Sequence, residues 1–199
     1  MSVKSYSENK TTAVKSIVVL VLIAVVLGGL LAILNDILYV SDTERTMRVI
    51  KNFYDGQEKQ YEVVDIPEDV RTNDFGTVDT VYLIEDGNYL IKTTGNEGFH
   101  GGTVTMWFLA EIDGGEFIGF NKVKYAENAG QTLMSNFSDD YYNDYLGDDV
   151  KNGFYTTKGG SNNKMMAGAT YSSNAINNAV NSAYCYIDYI LTEVSNDEG

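Results

Sequence analysis

The pattern of apolar and polar positions divides the chain into four parts. From Ser16 to Leu34 no charge occurs, and Ile, Val and Leu dominate, with Gly28-Gly29 inside. As a helix this run spans about 28 Å, enough to cross a bilayer. It is longer than the roughly 7–15 residues of a signal-peptide core. Leu30-Leu31-Ala32-Ile33-Leu34 also offers no small-x-small cleavage site, which favours an uncleaved anchor. Next, Ser41-Asp42-Thr43-Glu44 reads as a capping box. Met47, Ile50, Phe53 and Tyr54 then form one helical stripe, which Asp55-Gly56 stops. A first strand is expected over 59–66, then a loop from Pro67 to Gly76.

From Thr77 the period shortens to that of strands. Val78 to Glu85 and Asn88 to Thr94 flank Asp86-Gly87, a hairpin signal. Thr103 to Ile112 and Glu116 to Tyr125 form a second pair around Asp113-Gly114-Gly115. Met106-Trp107-Phe108-Leu109-Ala110 is apolar throughout, which predicts a central strand. Helical spacing returns over 131–146 and 173–193, with a short strand near Phe154-Tyr155-Thr156 between them. In the last helix Ile176, Ala179, Val180, Ala183, Ile187 and Ile190 share one face. The expected fold is α+β: a twisted antiparallel sheet of consecutive hairpins with packed helices, preceded by one transmembrane helix. The expected organisation is a polar tail over 1–15, a span over 16–34, a connector with an amphipathic helix over 35–76, and a domain over 77–195.

Composition and charge narrow the function. A hydrophobic fraction of 44% and 15 tyrosines supply a core. The one cysteine, Cys185, excludes an intrachain disulfide and, within an apolar helix, reads as a buried structural thiol. The one histidine, His100, excludes a His cluster for a metal and leaves little scope for a Ser-His-Asp triad. Asp139-Asp140-Tyr141-Tyr142-Asn143-Asp144-Tyr145 lacks the alternating ligands of an EF-hand loop and reads as a solvated helix face or loop. Lys4, Lys10 and Lys15 precede the apolar run, and Asp36, Asp42 and Glu44 follow it. The positive-inside rule therefore puts the N-terminus in the cytoplasm and the domain outside a cell membrane. After residue 34 the chain carries 11 basic against 27 acidic residues. Such a domain excludes nucleic-acid binding through phosphate contacts, and an anionic membrane surface repels it.

Candidate chemistry concentrates in Met166-Ala167-Gly168-Ala169-Thr170-Tyr171-Ser172-Ser173, a small turn-prone stretch that runs into the last helical pattern. Ser172 or Ser173 is expected to cap that helix. The unpaired N–H groups of such an end favour a bound anion by about 0.3–1 kcal/mol when exposed. On spacing alone, a small-residue loop capping an ordinary helix is the plainer reading.

Gly168-Ala169-Thr170 followed by Tyr171-Ser172-Ser173 resembles the flavin attachment motif of the FMN-binding domain family. Two upstream stretches resemble the same family in the same order. Gly98-Phe99-His100-Gly101-Gly102 is similar to its Gly-aromatic-Gly-Gly element with one residue inserted. Glu127-Asn128-Ala129-Gly130-Gln131-Thr132 takes the place of its Glu-Thr-Pro-Gly-Leu-Gly loop, after the last strand, and matches at Glu127 and Gly130. Lys164 and Ala167 stand where the family has Asp and Ser or Thr. The resemblance covers about residues 77 to 192.

The resemblance implies FMN joined to Thr170 through a phosphodiester made by a flavin transferase. It places Gly168, Ala169, Ser172, Ser173, Gly101, Gly102, Glu127 and Gly130 around the cofactor, with the paired glycines letting backbone approach a flat ligand. Lys164 either reverses a charge that the transferase reads or helps neutralise the phosphate. The resemblance further implies a membrane-anchored electron carrier most like the G subunit of the Rnf complex, which couples electron flow between ferredoxin and NAD to Na⁺ or H⁺ transport. Its partners would be the other Rnf membrane subunits. A stand-alone extracellular FMN carrier and a flavin-free extracellular binding module remain open on the sequence.

Overall fold

The computed structural model describes residues 3–38, 41–146 and 164–197. The strand expected near Phe154-Tyr155-Thr156 lies outside the described residues. The chain divides into two compact units, Met1–Arg48 and Val49–Gly199.

The first unit is dominated by α1 (Val3–Leu38). Its stretch Val14–Leu34 has a mean hydropathy of 3.3 and no buried side chain, and it is long and apolar enough to cross a membrane. The helix also takes in the polar residues from Val3 onward, where no Gly or Pro interrupts it. After it, α2 (Asp42–Phe53) begins as the capping box predicts: Glu44 N–H donates to Ser41 Oγ at 3.2 Å. Asp42 and Glu44 in its first turn and Lys51 in its last oppose the helix dipole.

In the second unit, Asp55 (φ 52°) and Gly56 (φ 91°) end α2, as their sequence suggests. The elements that follow are β1 (Tyr61–Val64), α3 (Glu68–Arg71), β2 (Thr72–Asn73), β3 (Gly76–Ile84), β4 (Tyr89–Gly95), β5 (Thr103–Asp113), β6 (Glu116–Ala129), α4 (Asp139–Asn143) and α5 (Thr170–Asp197). The sheet is antiparallel in the order β1-β3-β4-β5-β6, and β2 pairs with β3. The hairpins are those expected. Gly114 (φ 57°) and Gly115 (φ 76°) form a two-residue turn that requires left-handed backbone at both positions.

Helices cover the sheet unequally. On one face α5 buries Ile176, Ala179, Val180, Ala183 and Ile187 in a core with Val78, Val81, Ile91, Met106, Phe108 and Val123. On the other, Ile50 and Phe53 from the end of α2 meet Ile84, Leu90 and Leu109. The unbroken apolar run of β5 follows: alternate residues serve opposite cores. Polar bonds tie α5 down further. Thr93 Oγ1 donates to Ala179 O at 2.6 Å, and Asn73 Nδ2 to Ser182 Oγ at 3.0 Å.

Several expectations need correction. The loop from Pro67 to Gly76 contains α3 and β2. The helix expected over 131–146 is a 3-10 turn at Met134–Asn136 followed by the short α4. Met134, Phe137, Tyr142 and Tyr145 have helical spacing and are all buried, but extended backbone at Phe137 divides the stripe. The stretch 139–145 is therefore not simply solvated: Tyr142 and Tyr145 belong to the main core. Cys185 is half-buried rather than enclosed. Its burial, with Asp188 and Asp74 adding to it, holds the thiol above its usual pKa and so in the unreactive protonated form.

Candidate functional site

The first turn of α5 forms one wall of a cleft of about 210 Å³, lined by Gly168, Ala169, Thr170, Tyr171 and Ser172, with Phe99, Thr132 and Leu133 opposite. The helix starts at Thr170, three residues earlier than its apolar pattern suggests. Gly168 (φ 81°) makes the turn into it. Thr170 is exposed, while Ala169, Ser172 and Ser173 are buried. Phe99 (45% exposed), Leu133 (40%) and Tyr171 (57%) leave apolar surface open around the Thr170 hydroxyl.

The two serines do not act as the expected caps. Ser172 Oγ donates to Gln131 Oε1 at 3.1 Å. Ser173 Oγ donates back to Ala169 O at 3.1 Å and accepts from Met166 N–H at 2.9 Å. Both sit inside the first turn, too late to cap it, because the helix begins upstream of them. Their hydroxyls are committed to locking the turn in place. The first intrahelical bond of this turn runs from Ser173 N–H to Ala169 O, so the N–H groups of Thr170, Tyr171 and Ser172 lie ahead of the ladder.

A second set of bonds holds the approach to Thr170. Asn177, buried, donates through Nδ2 to Lys164 O at 3.0 Å and accepts from the Tyr145 hydroxyl at 2.8 Å. Tyr141 O–H donates to Lys164 O at 2.6 Å. Burial raises the Tyr141 phenol above its usual pKa, although bonds with Tyr145 and Ser173 oppose the shift. It therefore stays a neutral donor. The Lys164 ammonium lies 4.5 Å from the centre of the Tyr145 ring, a cation–π contact.

The upstream candidates have different roles. Phe99–Gly101 is a 3-10 turn with His100 left-handed (φ 52°), closed by Gly98 N–H donating to Gly102 O at 2.8 Å. Gly102 is required by protein packing rather than by access to a ligand: a Cβ there would overlap Ala129 O and the Gln131 amide. Gly101 (φ 75°) and Gly130 (φ 74°) supply left-handed backbone. Glu127 belongs to β6, not to a loop after it, and its carboxylate takes the Lys92 ammonium at 3.0 Å. It pairs across the sheet with Thr105 and does not line the cleft. Thus Gly168, Ala169, Thr170 and Ser172 meet at the cleft, while Gly101, Gly102, Gly130 and Ser173 support its walls.

Sequence reasoning missed Gln131, which sits in the quoted motif but is not among its matching positions. Gln131 bridges Gly102's neighbourhood to Ser172, accepting also from Phe99 N–H at 3.1 Å. Its only signal was a polar amide between Gly130 and an apolar stretch. Leu133 and Tyr171 were also missed as cleft residues, because apolar side chains on a rim look in sequence like core.

The fold and the cleft define an α+β domain that presents an exposed threonine at a helix N-terminus among apolar side chains. Residues 98–184 match the model of the FMN-binding domain family. The match spans the Gly98 turn, Gln131 and the whole cleft. No curated protein matches the chain. The FMN-binding domain match and the apolar N-terminal helix together fit a membrane-anchored flavoprotein.

Proposed function

We propose that this chain is a membrane-anchored electron carrier whose FMN is joined covalently to Thr170. The observation that carries the reading is the position of Thr170: exposed, on the first turn of α5, inside the stretch that matches the FMN-binding domain. The residues present suit that group. The Thr170 hydroxyl is the nucleophilic oxygen, the first-turn N–H groups suit a phosphate, and Phe99, Leu133 and Tyr171 offer apolar surface to a planar ring. When bound, the isoalloxazine supplies the redox chemistry, and the protein supplies position and electrostatics. In attachment, Thr170 Oγ1 forms a bond to phosphorus and gives up its proton. A flavin dinucleotide donor balances the step, because its phosphoanhydride breaks and a nucleoside monophosphate leaves. A flavin transferase would supply that catalysis.

In the finer reading the chain is the G-type subunit of an Rnf ferredoxin:NAD oxidoreductase coupled to Na⁺ or H⁺ transport, working with the other Rnf membrane subunits. Covalent attachment suits a domain outside the cell, where a dissociable flavin would be lost by dilution. The intact mass of the protein, made beside an active transferase, tests the flavin. Co-purification with several polytopic subunits tests the Rnf assignment, and a flavoprotein recovered alone from solubilised membranes would favour a stand-alone carrier.

Two expected outcomes follow from the placement of charge. With Lys4, Lys10 and Lys15 before the apolar helix, the domain lies outside. Protease added to intact cells or right-side-out vesicles should degrade it; digestion only from the cytoplasmic face would reverse the orientation. Lys164→Asp gives up the contact with Tyr145, worth about 0.5–1 kcal/mol at an exposed site. Because that ring already engages the ammonium, the substitution should raise the flavinylated fraction when transferase is limiting. A fall in that fraction would assign Lys164 to the phosphate instead.

A further inference from the structure

We infer that Gln131 is the positioning residue of the cleft: one buried amide that locks the Phe99 turn to the first turn of α5, and so sets how Thr170 is presented for modification, given that Thr170 is the attachment residue. Gln131 is only 6% exposed. Its Oε1 accepts from Phe99 N–H and from the Ser172 hydroxyl, each at 3.1 Å. Its Nε2 donates to Ala129 O at 3.3 Å and lies 3.5 Å from Phe99 O. The backbone beneath is held in turn, because Gln131 N–H donates to Asn128 Oδ1 at 3.1 Å. One side chain thus joins the end of β6, the Gly98–Gly102 turn and α5.

The seat for this amide is built for it. A Cβ at Gly98 or at Gly102 would overlap Gln131 Nε2, so two glycines clear the space that the side chain fills. Phe99 and Ser172 line the cleft from its two sides, and the Gln131 oxygen is the atom they share. The Phe99 and Tyr171 rings also pack edge-on across the cleft, with centroids 5.8 Å apart. Without the amide oxygen, the Phe99 N–H and the buried Ser172 hydroxyl lose their common acceptor. Ring packing at the cleft and the more distant bonds from Asn178 Nδ2 to Asn96 then hold the turn to α5.

The test uses the full-length chain in membranes or detergent. Gln131→Met keeps the length of the side chain and removes its hydrogen bonds. Gln131→Glu keeps the acceptor oxygen. Ser172→Ala removes only the link to α5. Amide hydrogen exchange over residues 98–102, read on the flavin-free Thr170→Val background, reports the lock without any cofactor. Covalent flavin formed per unit time, with transferase limiting, reports its consequence. Gln131→Met should speed exchange at Phe99 about tenfold and slow attachment about tenfold. Gln131→Glu should retain protection at Phe99. Ser172→Ala should also slow attachment, and the double variant with Gln131→Met should be no slower than Gln131→Met alone, since both break one link. An unchanged attachment rate in Gln131→Met, or additive losses in the double variant, would overturn the role of Gln131 while leaving Thr170 in place. If Gln131→Met does not fold, an unchanged rate in Ser172→Ala has the same force. Absence of flavin from the unsubstituted chain beside an active transferase would overturn the attachment reading itself, and this role with it.

Discussion

Thr170→Val should abolish covalent flavin while leaving the protein folded and in the membrane. Valine keeps the β-branched shape and removes only the hydroxyl, and Thr170 is exposed, so no buried partner is stranded. The turn around it is held by other atoms: Ser173 clasps Ala169 and Met166, and Asn177 clasps Lys164. The fold should therefore change in stability by no more than about 0.5 kcal/mol, as at other surface positions. Fluorescence of the protein band on a denaturing gel should fall from full intensity to background. The neighbouring hydroxyls are poor substitutes, because Ser172 and Ser173 are buried and hydrogen-bonded. A Val variant that stays covalently fluorescent would move the attachment site to another residue.

Gly95→Val should cause a large loss of stability. Gly95 ends β4 directly beneath α5, where an added Cβ would overlap Ala175 O and the Ala179 backbone. Those neighbours are helix backbone, which cannot turn aside as a side chain can. The helix must lift, and Thr93 Oγ1, bonded to Ala179 O at 2.6 Å, loses its partner as it does. Overpacking of this kind costs roughly 1–3 kcal/mol or more, and a broken buried hydrogen bond adds to it. For a unit of this size the midpoint of thermal unfolding should drop by about 6–12 °C. Gly101→Ala serves as the comparison: its Cβ would meet open space, and only its left-handed backbone is penalised, by about 1–2 kcal/mol. Circular dichroism of the two variants in the same detergent would decide. A midpoint for Gly95→Val no lower than for Gly101→Ala would show that α5 does not bear on β4 as described.

Both predictions draw on features of different visibility in the chain. The apolar run before residue 35, the two hairpins and the face of α5 were legible because each is a local pattern with its own period: an unbroken block, alternation around Gly-rich turns, and a three-to-four spacing. The Ser41 cap was legible for the same reason, since donor and acceptor are three residues apart. The stretch around Thr170 was singled out by resemblance, because the motif is contiguous.

What the tertiary structure alone decided involves residues far apart in sequence. The helix expected over 131–146 broke at Phe137, where extended backbone separates the 3-10 turn from α4 while the residues of the stripe stay buried. Ser172 and Ser173 looked like caps because they precede an apolar pattern, yet α5 starts upstream and Gln131, 41 residues earlier, claims one of them. Glu127 looked like part of a flavin loop, but β6 continues through it and Lys92 from a neighbouring strand takes its carboxylate. Gly95 gave no signal at all, since only the crossing of α5 over β4 forbids a side chain there. Local spacing determined the apolar helix, the two hairpins and the face of α5. The choice of partner for each polar group, and the space left at each glycine, depended on which elements came to lie against one another.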